Sequence, residues 1–75
     1  MQIHIRFAGE MARHAGEGRR TIDIHNPATV ADAVQALASD GAVAGELSRC
    51  AYSVGGVAVG ASYQLFEGME LVLEL

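Results

Sequence analysis

The alternating stretch at residues 69–75, MELVLEL, constrains the fold more than any other part of the sequence. Alternation of apolar and polar residues predicts a half-buried β-strand. Leu71 and Leu73 should face a core, and Val72 should face the opposite side between two glutamates. Because this strand is long, comes last and is apolar on its inner side, we expect it to lie centrally. We expect it to pair in parallel with the first strand.

Three further stretches predict strands or hairpins. Residues 2–7, QIHIRF, alternate cleanly, and residues 20–25 alternate again, so a hairpin is the simplest connection between them. Glycines limit the segment between these strands to a loop with one short helical turn at residues 10–14. Residues 50–54 and 57–59 flank a Gly-Gly pair, which predicts a tight hairpin. In the loop that follows this hairpin, we expect Leu65 to dip into the core.

The sequence predicts one amphipathic helix, over residues 29–39. Thr29 is a natural N-cap, and Asp32 stands at the capping-box spacing behind it. Gly41 is expected to end the helix in the left-handed conformation. The apolar positions recur at helical spacing and predict one buried face: Val30, Ala33, Val34, Leu37 and Ala38. One such helix covers one face of a sheet, so we expect an α+β domain spanning residues 1–75, with a mixed sheet of four to five strands.

Charge and composition exclude several classes of function. The formal net charge is −4, and all five basic residues are arginine. A mildly acidic domain repels phosphate backbones, so we expect no nucleic-acid partner. No apolar run approaches membrane-spanning length and no opening stretch resembles a signal peptide, so we expect no membrane partner. The single cysteine fits a reducing compartment, and we expect a cytoplasmic protein.

Four stretches in this order resemble the small sulfur-carrier proteins. They are FAG at residues 7–9, PATVADAVQAL at residues 27–37, VGG at residues 54–56 and LFEGMELVL at residues 65–73. The carriers are the small subunit of molybdopterin synthase and the carrier of the thiamine pathway, both in the ubiquitin-like β-grasp superfamily. The resemblance covers nearly the whole chain and implies that fold. It also implies a larger protein partner, either an enzyme subunit or an adenylating, E1-like enzyme.

In the carrier family the chemistry takes place at the end of the chain. A terminal Gly-Gly is adenylated and becomes a thiocarboxylate, whereas this sequence ends in Leu73-Glu74-Leu75. We therefore expect a non-enzymatic protein that docks a larger partner through its sheet face, without the thiocarboxylate-forming tail. The alternative is a sulfur carrier for molybdopterin or thiamine-type biosynthesis whose tail is absent from this chain. If the protein is a carrier, the terminal carboxylate of Leu75 is the candidate reactive group of this chain.

The outward side of the first and last strands is the candidate partner-binding surface. An apolar centre with a charged surround suits protein recognition. The alternative is an ordinary half-solvated sheet face. The residues expected on this surface are His4, Arg6, Glu70, Val72 and Glu74.

The remaining candidate sites favour structural interpretations. Cys50 stands alone and is expected to pack rather than react. The three histidines lack the spacing of metal ligands, so we expect no metal, no cofactor and no catalytic residue. Arg19 and Arg20 are expected to begin a strand as solvated side chains. The Gly-Gly pair is expected to form a turn.

Overall fold

The central feature of the structure is a mixed sheet with one main helix across one face. The computed structural model describes the backbone of residues 1–75 and the side chains of residues 1–41 and 43–75. The strands are β1 (Gln2–Ala8), β2 (Arg19–Asp23), β3 (Ala28–Thr29), β4 (Ala51–Val54), β5 (Val57–Ala58), β6 (Gln64–Leu65) and β7 (Glu70–Glu74). The helices are α1 (Met11–Ala15), α2 (Val30–Leu37) and α3 (Gly41–Ala44), followed by a 3-10 turn at Leu47–Arg49.

The last strand, β7, lies in the middle of the five-stranded sheet, whose order is β2-β1-β7-β4-β5. It pairs in parallel with β1 and antiparallel with β4. The outer pairs, β1–β2 and β4–β5, are both antiparallel. The central position of β7 and its parallel pairing with β1 are both confirmed. A mixed sheet in this order, with α2 packed on it, is the ubiquitin-like β-grasp fold that the resemblance implied.

The core lies between α2 and the inner face of β1 and β7. Leu71 and Leu73 are both 0% exposed, as the alternation predicts. They pack with apolar side chains from β1 and α2: Ile3, Ile5, Phe7, Val30, Ala33 and Leu37. Leu65 is also fully buried, which confirms that the loop before β7 enters the core.

Helix α2 begins as predicted and ends differently. The backbone N–H of Thr29 donates to Asp32 Oδ2 at 2.8 Å, which is one half of a capping box. The helix ends at Leu37, and Ala38 is exposed, so its placement on the buried face is wrong. The prediction for Gly41 is also wrong, because its φ is not positive and it begins α3. The chain turns at Asp40, whose carbonyl accepts hydrogen bonds from the next short helix, and this brings Val43 into the core.

Arg20 is half-buried, which contradicts the prediction that it is solvated. Its position opposite Ile5 places it on the inner face of β2, where its guanidinium lies 5.3 Å from the ring centroid of Phe7. Arg20 also pairs with Glu17 and Asp40. The hydrogen bond that Arg20 donates to Glu17, more than any other contact, raises the pKa of Arg20. Arg20 therefore ties β2 to the segment that follows α2, whereas Arg19 points outward and is exposed.

The turn between β4 and β5 forms as predicted, whereas the connectors contain structure that was not predicted. Gly55 and Gly56 adopt φ angles of 59° and 81°, so the two-residue hairpin turn is confirmed. The β3–β6 pair is an element that the sequence analysis missed, because two-residue strands have no periodicity to detect. The connectors also supply core residues that the alternation did not indicate, among them Met11 and Leu47.

We expect Leu71→Ala to lower the free energy of unfolding by about 2–5 kcal/mol, because it leaves a cavity in the core. Val57→Ala is the control, since Val57 is 65% exposed and should change stability by less than about 0.5 kcal/mol. Urea denaturation followed by circular dichroism measures both values. Equal effects of the two substitutions would contradict the central placement of Leu71.

Candidate functional site

The five predicted surface residues lie together on the side of the sheet opposite α2. His4, Arg6, Glu70 and Glu74 are exposed, and Val72 is half-buried. The register places His4 beside Glu70 and Arg6 beside Val72 on adjacent parallel strands. We call this side the outer face and define it by His4, Arg6, Glu70, Val72 and Glu74. The structure thus brings together side chains that are more than sixty positions apart in the sequence.

One row of the outer face crosses all five strands and passes through Val72. Pairing runs from Arg19 to Arg6, from Arg6 to Val72, from Val72 to Ser53, and from Ser53 to Ala58. We call these five residues the central row. Since neighbouring strands lie about 4.8 Å apart, the row is about 19 Å long. It changes from cationic at β2 and β1, to apolar at β7, to small and uncharged at β4 and β5.

Arg19, Ser53 and Ala58 also belong to this surface, although they are not among the residues predicted for it. The signal for Arg19 was present, because the inward isoleucine at position 22 places residues 19, 21 and 23 on the other side of β2. Ser53 and Ala58 required the register of β4 against β7, which follows from neither segment alone. Both have small side chains, and Ser53 stands directly beside the half-buried Val72.

Negative charge flanks Val72 along its own strand. Glu70 and Glu74 precede and follow it by two residues, so each carboxylate projects from a position about 7 Å away along β7. Glu74 lies opposite Ala8 on one side and Ala51 on the other. An apolar centre is therefore bounded by carboxylates in one direction and by arginine in the perpendicular direction.

A depression of about 420 Å³ lies where β2, β1 and β7 meet. His4, Arg19, Thr21 and Glu70 are among the residues that line it. His4 Nδ1 lies 3.1 Å from Thr21 Oγ1, so the imidazole ring is held by a hydrogen bond across β1 and β2. The depression offers cationic and anionic groups within one concave part of the sheet.

Leu75, the other predicted site residue, lies at the end of the parallel β1–β7 ladder. Its N–H donates to the carbonyl of Ala8 at 3.4 Å, and its carbonyl accepts from the N–H of Glu10 at 3.3 Å. Between these two residues, Gly9 has a φ of 61°, and a Cβ at that position would lie 2.6 Å from the Leu75 carbonyl oxygen. Gly9 is therefore required by the close approach of the two backbones. The Leu75 side chain packs against the core.

The other reactive groups have structural surroundings. The Cys50 thiol lies 3.4 Å from the carbonyl oxygen of Glu46 and 3.5 Å from the sulfur of Met11. Burial raises the pKa of the Cys50 thiol, although the charge of Arg49 opposes the shift. The described residues contain no group of three or more metal-ligating side chains. Nor do they contain a helix long and apolar enough to span a membrane.

The structure is similar to solved structures of small modifier and molybdopterin-related proteins. SAMP1 from Haloferax volcanii matches 97% of this chain and 92% of its own, with 22% identity and a TM-score of 0.88. A second structure of this H. volcanii small archaeal modifier protein matches 97% and 94% of the two chains, with 25% identity and a TM-score of 0.80. The third structure is a complex of subunits 1 and 2 of the molybdopterin-converting factor from Helicobacter pylori. One of its chains matches 99% of this chain over 92% of its own length, with 17% identity and a TM-score of 0.77.

These similarities establish the fold and agree with the motifs. No model of a protein family matches the chain, and no curated protein matches it. The structural neighbours nevertheless include both a small archaeal modifier protein and a chain of a molybdopterin-converting factor. They therefore share the β-grasp fold that the resemblance to the sulfur carriers implied.

We expect Cys50 in the folded protein to react with iodoacetamide more slowly at pH 9.0, the ordinary pKa of a cysteine thiol, than it does in urea. Its pKa is higher in the folded state, so at this pH folding keeps more of the unreactive thiol form than the unfolded chain, in which about half of the thiol is ionised. By the same linkage, the contribution of Cys50 to the free energy of unfolding is fully present below the unfolded pKa. It is lost as the pH rises through the folded pKa. Mass spectrometry of timed samples gives both rates. Faster alkylation of the folded protein would contradict the structural interpretation of Cys50.

Proposed function

We propose that this protein is a small, non-enzymatic ubiquitin-like module that docks a larger protein through its outer face. The observation that carries the proposal is the half-buried apolar centre at Val72, which faces away from the core. Val72 lies in the middle strand, and the charged side chains of Arg6, Glu70 and Glu74 surround it. Protein interfaces commonly combine an apolar core with a polar rim.

The geometry of the sheet supports docking over catalysis. The outer face is a broad surface made by strands, and strands hold their side chains in fixed relative positions. Thr21 Oγ1 lies 3.1 Å from His4 Nδ1 on this face, but among the described residues no side chain orients the other side of that imidazole, as the base of a catalytic pair requires. The comparison with a molybdopterin-converting factor is consistent with this role, since the H. pylori subunit was solved as a protein–protein complex. An enzyme subunit or an adenylating, E1-like enzyme is the class of partner that the resemblance favours.

A sulfur carrier for molybdopterin or thiamine-type biosynthesis is the second candidate function. The similarity to SAMP1 and to molybdopterin-converting factor subunit 1 favours it. The path of β7 is also compatible, because the turn at Gly9 and Glu10 holds the backbone of Leu75 at one end of the sheet. Carrier chemistry would use a terminal carboxylate beyond this point of attachment. Both functions use the same docking surface, so the first does not exclude the second.

We expect Val72→Asp to weaken partner binding by about tenfold or more, because it places a charge at the apolar centre of the interface. A photo-cross-linker at Ala51, which is exposed beside Glu74, captures the partner in the cells that make the protein. Mass spectrometry identifies it, and calorimetry with the purified partner gives the affinity of each variant.

Val57→Asp is the matched control for this experiment. It introduces the same charge at an exposed valine in the β4–β5 hairpin, outside the central row. Both variants should keep the circular dichroism spectrum of the parent protein. The docking proposal is wrong if no larger protein is cross-linked, or if the two variants bind the partner equally well. Unfolding by Val72→Asp alone would mean that Val72 belongs to the core.

Intact-mass measurement separates the carrier from the docking module. The natural protein is isolated from its cells and also incubated with an adenylating enzyme, ATP and a sulfur donor. A carrier should gain the mass that corresponds to sulfur in place of one terminal oxygen, and a docking module should keep its mass. Reading the gene beyond the codon for Leu75 gives an independent result, since the carrier family ends in Gly-Gly.

A further inference from the structure

Two arginines face each other directly on the outer face. Arg6 on β1 and Arg19 on β2 are register partners in an antiparallel pair, and both are exposed. Directly opposed residues in such a pair have Cβ atoms about 4.5–5.5 Å apart. Two guanidinium groups can therefore converge on the same small volume above the sheet.

Neither arginine of this pair has a carboxylate partner in direct contact among the described residues. No ion pair among the described residues includes Arg6 or Arg19. By contrast, Arg20 and Arg49 both have carboxylate partners. Like charges placed directly opposite each other destabilise a sheet. The N–H donors of both guanidinium groups can therefore bind an acceptor that lies outside the chain.

We infer that Arg6 and Arg19 form a receptor for an acidic side chain, aspartate or glutamate, of the docked protein partner. Arginine presents a planar fork of donors that matches the two oxygens of a carboxylate. One carboxylate placed between two such forks neutralises the repulsion that the free protein retains. This inference rests on the proposed docking function and specifies the chemistry of the partner.

The position of the pair also defines the spacing required in the partner. Arg6 lies between Arg19 and Val72 in the central row. With strands about 4.8 Å apart, the midpoint between the arginines lies about 7 Å from Val72. The partner must therefore place an aliphatic side chain over Val72 and a carboxylate about 7 Å to one side of it. This asymmetry allows one orientation of docking and disfavours the reverse.

The surrounding charges favour a protein carboxylate over a nucleic acid. Glu70 lines the same depression as Arg19, and Glu74 lies further along β7. A phosphate backbone carries a charge at every nucleotide and would meet these glutamates as soon as it left the arginine pair. The net charge of −4 adds to that repulsion. A single carboxylate beside an apolar group avoids both costs.

A short peptide tests the arginine receptor independently of any natural partner. The probe is a synthetic peptide with one leucine and two glutamates, and the matched control replaces both glutamates by glutamine. Titration of the isotope-labelled protein, followed through the arginine Nε–H signals, should shift Arg6 and Arg19 with the glutamate peptide only. Arg13, which is exposed on α1, should not move. Equal shifts with both peptides, or none at either arginine, would overturn the inference.

Charge reversal tests the same pair in the full complex. With the partner identified by cross-linking at Ala51, Arg6→Glu and Arg19→Glu should each weaken binding by about tenfold, mainly through slower association. Each substitution should also reduce the dependence of binding on salt. Arg13→Glu is the matched control and should leave the affinity within about twofold. Reversal of the contacting partner carboxylate to lysine should restore binding to the Arg6→Glu variant.

The outcomes distinguish this inference from the proposed function. If Val72→Asp weakens binding and the two arginine reversals do not, the docking function stands and the arginine receptor is wrong. If Val72→Asp has no effect, the docking function itself is wrong. A single-stranded DNA oligonucleotide serves as the remaining probe. Binding of that oligonucleotide with the same dependence on Arg6 and Arg19 would overturn the assignment to an acidic protein partner.

Discussion

The parallel pairing of β1 with β7 is the interaction on which the rest of the structure depends. It joins the two segments most distant in the sequence and aligns Ile5 with Leu71 and Phe7 with Leu73 on the core side. The same register aligns Arg6 with Val72 on the other side. Because side chains alternate across a strand, one set of backbone hydrogen bonds fixes both the core and the outer face. A slip of one residue would exchange the leucines with Val72 and the glutamates.

The two sides of the sheet differ because the one principal helix covers only one of them. Helix α2 covers the inner face, and the short connectors, with Met11 and Leu47, complete the core. The outer face has no covering element among the described residues, so its side chains are set by register alone. A surface held in this way is rigid without being enclosed, and it therefore suits recognition of another protein better than the chemistry of a closed pocket.

Both candidate functions are compatible with the same physical arrangement. A docking module needs the outer face, and a carrier needs that face together with an accessible chain end. The close packing of Gly9 against the Leu75 carbonyl shows how tightly the end of β7 is attached to the sheet. The fold is shared with SAMP1 and with a chain of the complex of molybdopterin-converting factor subunits 1 and 2. What separates the two functions is covalent chemistry at the terminus, which the shape of the sheet does not specify.

The resemblance to the sulfur carriers implied the β-grasp fold. The amino-acid sequence alone predicts the alternation in β1 and β7, the capping of α2 by Thr29 and Asp32, and the side of β7 on which Val72 lies. These features follow from local periodicity and turn chemistry, which need no knowledge of distant contacts. Contacts between distant segments, by contrast, turn Arg20 inward over Phe7, begin a helix at Gly41 and bring Arg19 opposite Arg6. Each of these depends on which segments meet. Pairing register and long-range packing are properties of two segments together, and neither segment carries them alone.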